Sequence, residues 1–197
     1  MIKELTAEIK NVKPALQQTH CCTLPCRLIF LDIDGVIATP ESVVDGLWGL
    51  VESKQQLLGK IIEATDAKIV LSSSWRKHTL SDTIEYMNEK GFKYSDRIIG
   101  VTIRAYQYID RKEKIHLSIP RGVEIKQWID TNIHSDNGKD WHRKEYGKDY
   151  TFVILDDDSD MLLEQSKNYV NCHCDNGLTD VEVEKAITIL NVVNGGF

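Results

Sequence analysis

The chain is 197 residues long, 42% apolar and 27% charged, the make-up of one soluble globular domain rather than a disordered or fibrous chain. Its formal net charge of −6 gives no general attraction to nucleic acid or anionic membrane, although a local basic cleft is compatible with it. No apolar run approaches the roughly 20 residues that span a bilayer, and the opening MIKELTAEIKNVKP is charged throughout, unlike a secretory signal, so a cytoplasmic protein is expected.

Strand and helix signals alternate along the chain. Ile2, Leu5, Ile9 and Val12 recur at helical spacing until Pro14 ends that stretch, so residues 1–26 read as a helical extension ahead of a domain over 27–197. A first core strand is expected over Leu28–Ile33. A helix follows over Glu52–Ala64, with Leu57, Leu58, Ile61 and Ile62 on its apolar side, and then a second strand over Lys68–Leu71. Ser81–Lys90 reads as a helix with Gly91 as the cap beyond it. Next come a third strand over Arg97–Thr102, a helix over Arg121–Asn132 and a fourth strand over Thr151–Leu155. A short helix over Met161–Ser166, a fifth strand over Asn168–Asn171 and a closing helix over Val181–Leu190 complete the series. This alternation predicts an α/β fold with a central parallel sheet flanked by helices. The segment His134–Asp149 balances four bases against four acids and reads as a surface loop, with gripping of an aromatic or polymeric substrate as its functional alternative. The five cysteines include no C-x-x-C pair; Cys172-His173-Cys174 offers metal-ligand types, but small buried thiols at a strand end are the plainer reading.

The most informative segment is Leu28-Ile29-Phe30-Leu31-Asp32-Ile33-Asp34-Gly35-Val36. Alternate residues of an extended chain share a face, so Asp32 and Asp34 can point the same way, and Gly35 permits a sharp turn beyond them. Two acids at the end of a buried strand are costly to desolvate unless they hold a metal or do chemistry, and open α/β sheets bind ligands at that end. The second strand ends in Ser72-Ser73-Ser74-Trp75-Arg76 and the fourth in Asp156-Asp157-Asp158-Ser159-Asp160. A cation is available from the third helix. At 100° per residue Arg121 falls on the stripe of Ile125, Trp128 and Ile129 that should pack on the sheet, whereas Lys126 lies off it and serves as the fallback.

Four motifs in this order resemble the haloacid dehalogenase-like (HAD) superfamily of phosphotransferases. Asp32-Ile33-Asp34-Gly35-Val36 is similar to its first motif, D-x-D-G-[TV], and Ser72 to the Ser or Thr of the second. Arg121 or Lys126 stands for the basic third, and Asp156-Asp157 with Asp160 for the acidic fourth. More narrowly, F-L-D-I-D-G-V-I, V-L-S-S-S-W-R, R-G-V-E-I-x-x-W-I, V-I-L-D-D-D-S-D-M and N-G-L-T resemble the HAD domain of Swiss Army Knife RNA repair proteins, a family akin to the phosphatase module of polynucleotide kinase-phosphatases.

The resemblance implies a Rossmann-like HAD fold with a small cap or none, and a Mg²⁺-dependent phosphomonoesterase acting through an aspartyl-phosphate. Asp32 would be the nucleophile, and Asp34 the acid for the leaving oxygen and then the base for water. Asp32, the backbone carbonyl of Asp34, and Asp156 or Asp157 would hold Mg²⁺. Ser72 would bind a phosphoryl oxygen, Arg121 or Lys126 would balance its charge, and Asp160, Gly35, Ser73 and Arg76 would support the site. The expected partner is a phosphorylated substrate, with an RNA end favoured because a site with little cap admits polymers. Arg76, Lys77, Arg104, Arg111, Lys112 and Lys114 are the candidate basic patch.

Other readings have less support. An EF-hand loop needs glycine at position six, whereas Gly35 is at position four and follows a strand. Asp158 or Ser159 is expected to cap the helix from Met161. A small-molecule phosphatase, a catalytically idle binding module and a D-x-D glycosyltransferase are the alternative functions. The intact acid set speaks against the idle module, and chain length against the glycosyltransferase. The sequence contains no G-x-x-x-x-G-K-[ST] loop, so no kinase module is expected beside the domain.

Overall fold

Leu28-Ile29-Phe30-Leu31 is apolar without interruption, as suits a strand covered on both faces. The computed structural model describes residues 26–43, 46, 48–104, 106–110, 115–134 and 150–192. In it this strand, β1 (Cys26–Leu31), occupies the middle of a five-stranded parallel sheet. The chain continues through α1 (Glu52–Thr65), β2 (Lys68–Leu71), α2 (Leu80–Glu89) and β3 (Ile98–Val101) to a hairpin of β4 (Tyr106–Asp110) and β5 (Ile115–Ser118). It then forms α3 (Arg121–Ile129), β6 (Tyr150–Asp156), β7 (Tyr169–Asn171) and α4 (Asp180–Asn191). The sheet order β3-β2-β1-β6-β7 places the chain's reversal of winding between β1 and β6, the kind of switch point beside which open α/β sheets bind ligands at the carboxyl ends of their strands.

The two faces of β1 divide the core. Ile29 and Leu31 point with Ile69, Leu71, Val153 and Leu155 into a cluster closed by Leu58 and Ile61 of α1, Met87 of α2, and Val183, Ala186 and Leu190 of α4. Leu28 and Phe30 point with Val70 and Ile154 to the other side, where α3 packs on them through Ile125, Trp128 and Ile129, joined by Ile133 of the turn that follows. Phe30 meets the Trp128 ring edge-on, with centroids 5.6 Å apart. The helical stripe read from Arg121, Ile125, Trp128 and Ile129 is therefore the stripe that docks, and it fixes which way Arg121 faces.

Several local expectations change. The helix expected over Arg121–Asn132 is α-helical only to Ile129 and widens into a π-type turn at Asp130–His134. Met161–Ser166 contains only a 3-10 turn, Leu163–Gln165, because Leu162 N–H is taken by the Gln165 side chain, which also donates to Gly122 O. With no helix starting at Met161, neither Asp158 nor Ser159 acts as its cap. The hairpin of β4 and β5 was not anticipated. The helix expected near residues 2–12 and the loop expected over 135–149 lie outside the described residues.

Arg76 was expected to face solvent or substrate, but it is buried. Its guanidinium donates to Ser73 O at 2.7 Å, Ile103 O at 2.9 Å and Glu124 Oε2 at 2.6 Å. The pair joins the turn after β2 to α3, and each partner is almost fully enclosed. Removing one member of such a pair leaves a buried charge, so Glu124→Ala should cost about 3 kcal/mol or more. Urea denaturation at pH 7 measures this. A loss below about 1 kcal/mol would show that the pair does not anchor α3.

Candidate active site

Backbone register assembles the site. Leu31 pairs with Leu71 of β2 and with Leu155 of β6, so the next residues, Asp32, Ser72 and Asp156, end level with one another. Hydrogen bonds extend this alignment past the strands: Ser72 N–H donates to Leu31 O at 2.8 Å, Asp32 N–H to Leu155 O at 2.9 Å, and Cys172 N–H to Asp156 O at 3.0 Å. Thr102 closes the row, donating to Ser72 Oγ at 3.4 Å.

Oxygens of Asp32, Asp156 and Asp157 all lie within 4.8 Å of one another. Burial raises the Asp32 carboxyl to about 6, a rise opposed by the Arg121 charge, the Ser73 hydroxyl and the Ile33 N–H. Burial also raises Asp156, to about 8, with the neighbouring Asp32 charge adding to it. Desolvation pushes Asp157 up as well. Asp156 Oδ1 accepts Asp158 N–H at 3.0 Å, while Asp156 Oδ2 is buried without a hydrogen-bond partner among the described residues. Three converging carboxylates with one orphaned buried oxygen are an unfavourable arrangement for a bare protein and a good one for a hard divalent cation. The donor set fits the metal.

The main cation of the site is Arg121. Its Nε lies 3.6 Å from Asp156 Oδ2 and its Nη1 3.4 Å from Glu124 Oε2, which places it beside the acids rather than in solvent. Lys126 is not brought into this group; its exposed Nζ pairs with Asp130 at 3.0 Å and with Glu164 at 3.9 Å. Asp160 accepts the backbone N–H of Arg121 at 2.8 Å, tying the acidic loop to the first turn of α3.

Asp34 is held separately. Trp75 Nε1–H donates to its Oδ1 at 2.8 Å and the Ser74 hydroxyl to its Oδ2 at 3.0 Å. From the sequence, Ser74 read as a loop former and Trp75 as packing or a substrate contact. The run Ser72-Ser73-Ser74-Trp75 does carry the signal, since three hydroxyls and an indole at one strand end are rich in donors.

Close approaches hold the loops in place. Gly35 has φ +71°, and a Cβ there would come within 2.3 Å of the Asp157 carboxyl. Gly177 of N-G-L-T has φ +59°, and its Cβ would meet Val36 O at 2.5 Å; the next residue donates Leu178 N–H to Val36 O at 2.8 Å. The N-G-L-T segment thus buttresses the turn that follows Asp34. In the Cys172-His173-Cys174 stretch, Cys172 is buried, but Cys174 is exposed, contrary to the expectation of small buried thiols.

Residues 28–183 match the model of the HAD domain in Swiss Army Knife RNA repair proteins, and the chain belongs to that family. No curated protein and no solved structure matches the chain. No described helix is long and apolar enough to cross a membrane.

The raised carboxyls of the acid cluster should make stability depend on pH and on added divalent cation. Asp32 and Asp156 keep their protons to higher pH in the folded chain than in the unfolded one, where carboxyls titrate near 4. The native state then binds more protons, and stability falls as pH rises from about 4 through about 8. In EDTA the thermal midpoint should drop over that range. Mg²⁺ should restore it most at pH 8, and Asp156→Asn should flatten the curve. A midpoint insensitive to both pH and Mg²⁺ would refute the cluster's role as a cation site.

Proposed function

We propose that the protein is a Mg²⁺-dependent phosphomonoesterase of the HAD type that acts on terminal phosphates of nucleic acid, RNA in particular. The observation that carries this reading is the convergence of Asp32, Asp156 and Asp157 within 4.8 Å, beside Arg121. Mg²⁺ would be held by Asp32, Asp156, Asp157 and the backbone carbonyl of Asp34, and when bound it would offset the carboxylate charge that otherwise repels a phosphate dianion.

The chain's own groups divide the rest of the chemistry. Asp32 attacks phosphorus and forms an acyl phosphate as the bond to the leaving oxygen breaks. Asp34 gives a proton to that oxygen, then takes one from the water that hydrolyses the intermediate. Ser72 binds a phosphoryl oxygen, and Arg121 meets the charge that spreads over the transferring group.

Two features support a polymeric substrate. Among the described residues, the insertion between β3 and α3 forms a two-stranded hairpin and no larger cap, as suits an open site. Of the expected basic patch, Arg76 is buried and Lys77 lies over the Tyr86 ring, but Arg104 is exposed and donates to Ser74 O at 2.5 Å. Arg104 thus binds the backbone of the residue whose hydroxyl donates to Asp34, which supports reading it as a contact for the leaving group. A second phosphate in the leaving group is what it would meet.

Phosphate release from 3′- and 5′-phosphorylated oligoribonucleotides and from p-nitrophenyl phosphate, with Mg²⁺ or EDTA, tests the reading. Turnover should require Mg²⁺ and vanish in Asp32→Asn. Release from p-nitrophenyl phosphate and nucleotides alone would favour the small-molecule alternative, and no release from any substrate would remove the phosphatase reading. Arg104→Ala should raise KM several-fold for the oligonucleotide while leaving that for p-nitrophenyl phosphate within about twofold, as expected for loss of a phosphate contact. Equal effects on both substrates would count against the polymer.

A further inference from the structure

Asp34 lies in an asymmetric cradle. The donor to Oδ1 is the Trp75 indole N–H at 2.8 Å, a group that can only donate. The donor to Oδ2 is the Ser74 hydroxyl at 3.0 Å, which can rotate to donate or to accept. Trp75 is itself well fixed, with its ring edge-on to Tyr86 at 6.0 Å and its side chain almost wholly buried. Lys77 Nζ lies over the Tyr86 ring, 3.5 Å from its centroid. The backbone of the same turn is fastened by Arg76 on Ser73 O and by Arg104 on Ser74 O.

We infer that Trp75 is a positioning residue that acts through Asp34, reserving Oδ1 as a permanent acceptor so that Oδ2 is the oxygen that exchanges the proton with the leaving group and with water. This rests on the phosphatase reading above. In the first half-reaction the Asp32–phosphorus bond forms, the phosphorus–oxygen bond to the leaving group breaks, and the proton on Asp34 Oδ2 passes to that oxygen. In the second, water attacks phosphorus, its proton returns to Oδ2, and Asp32 is released with inorganic phosphate. Ser74 follows both transfers by rotating its hydroxyl, turning its own proton away while the Oδ2 proton faces the leaving oxygen and donating once Oδ2 has lost it. Trp75 cannot follow, which is why it selects the oxygen. No other acid, base or oxidant is needed.

The leaving group provides the test. A nucleoside alkoxide needs a proton as it departs, whereas p-nitrophenolate does not. In single-turnover experiments on the intact protein with Mg²⁺, Trp75→Phe should slow product formation from the phosphorylated oligonucleotide about tenfold, part of the ~100- to 10,000-fold that a placed acid supplies. The loss on p-nitrophenyl phosphate should be several times smaller. In an Asp34→Asn background the same substitution should have no further effect, because a residue acting through Asp34 has nothing left to position.

Equal losses on the two substrates, or losses that multiply with those of Asp34→Asn, would overturn the positioning role and leave Trp75 as packing. Should Trp75→Phe not fold, Ser74→Ala removes an exposed hydroxyl instead and must show the same dependence on leaving group. A wild-type protein that releases no phosphate from either substrate would overturn the phosphatase reading itself. That result is distinct from a failure seen only in the variants.

Discussion

The parallel ladder that holds Leu31 level with both Leu71 and Leu155 governs the rest of the molecule. Where three neighbouring strands end at one height, their next residues are forced together, and here those residues are Ser72, Asp32 and Asp156. A parallel sheet must be covered on both faces, and the alternation of Ile29 and Leu31 with Leu28 and Phe30 directs α1, α2 and α4 to one side and α3 to the other. With α3 packed on that face, its first residue is delivered to the strand ends. The position of Arg121 is thus a consequence of Phe30 packing on Trp128.

The electrostatics follow from the same confinement. Three carboxylates at the strand ends face Arg121, which is itself shared with Glu124, and Glu124 is engaged by the buried Arg76. Charge is therefore distributed along a short chain, Asp156 to Arg121 to Glu124 to Arg76, running from the site into the protein. Arg76 fixes the turn that also carries Ser74 and Trp75, so the group that sets the acids and the group that sets Asp34 share one support. The chain alternates in sign and leaves Asp32 and Asp157 without a cation of their own along it, a deficit that a bound cation would make good.

Much of the site was legible in the sequence because its chemistry is local. D-x-D-G directly after an apolar run, a Ser ending a second run and an acidic cluster ending a third need only strand periodicity to be read as one group, and helical periodicity favoured Arg121 over Lys126. What was misread depended on contacts distant in sequence. Arg76 has the composition of a surface residue, and its burial rests on the opposite charge of Glu124, 48 positions away. Ser74 and Trp75 are legible as a donor-rich strand end, but nothing local pairs them with Asp34, about 40 positions earlier in the chain. Met161–Ser166 has helical composition, but the Gln165 side chain bonds the backbone of Leu162 and Gly122 and stops it at a single turn.

The sequence by itself determined the fold class, the strand that carries Asp32 and Asp34, and the types of residue at each strand end, since these rest on periodicities of two and 3.6 that hold within a single element. The tertiary structure alone decided which oxygen of Asp34 meets which donor, that Arg76 is internal, and that Asp160 binds the first turn of α3. Those outcomes depend on hydrogen bonds across tens of residues, whose partners are chosen by how α3 and the strand-end turns pack on the sheet. Local propensity has no access to that choice.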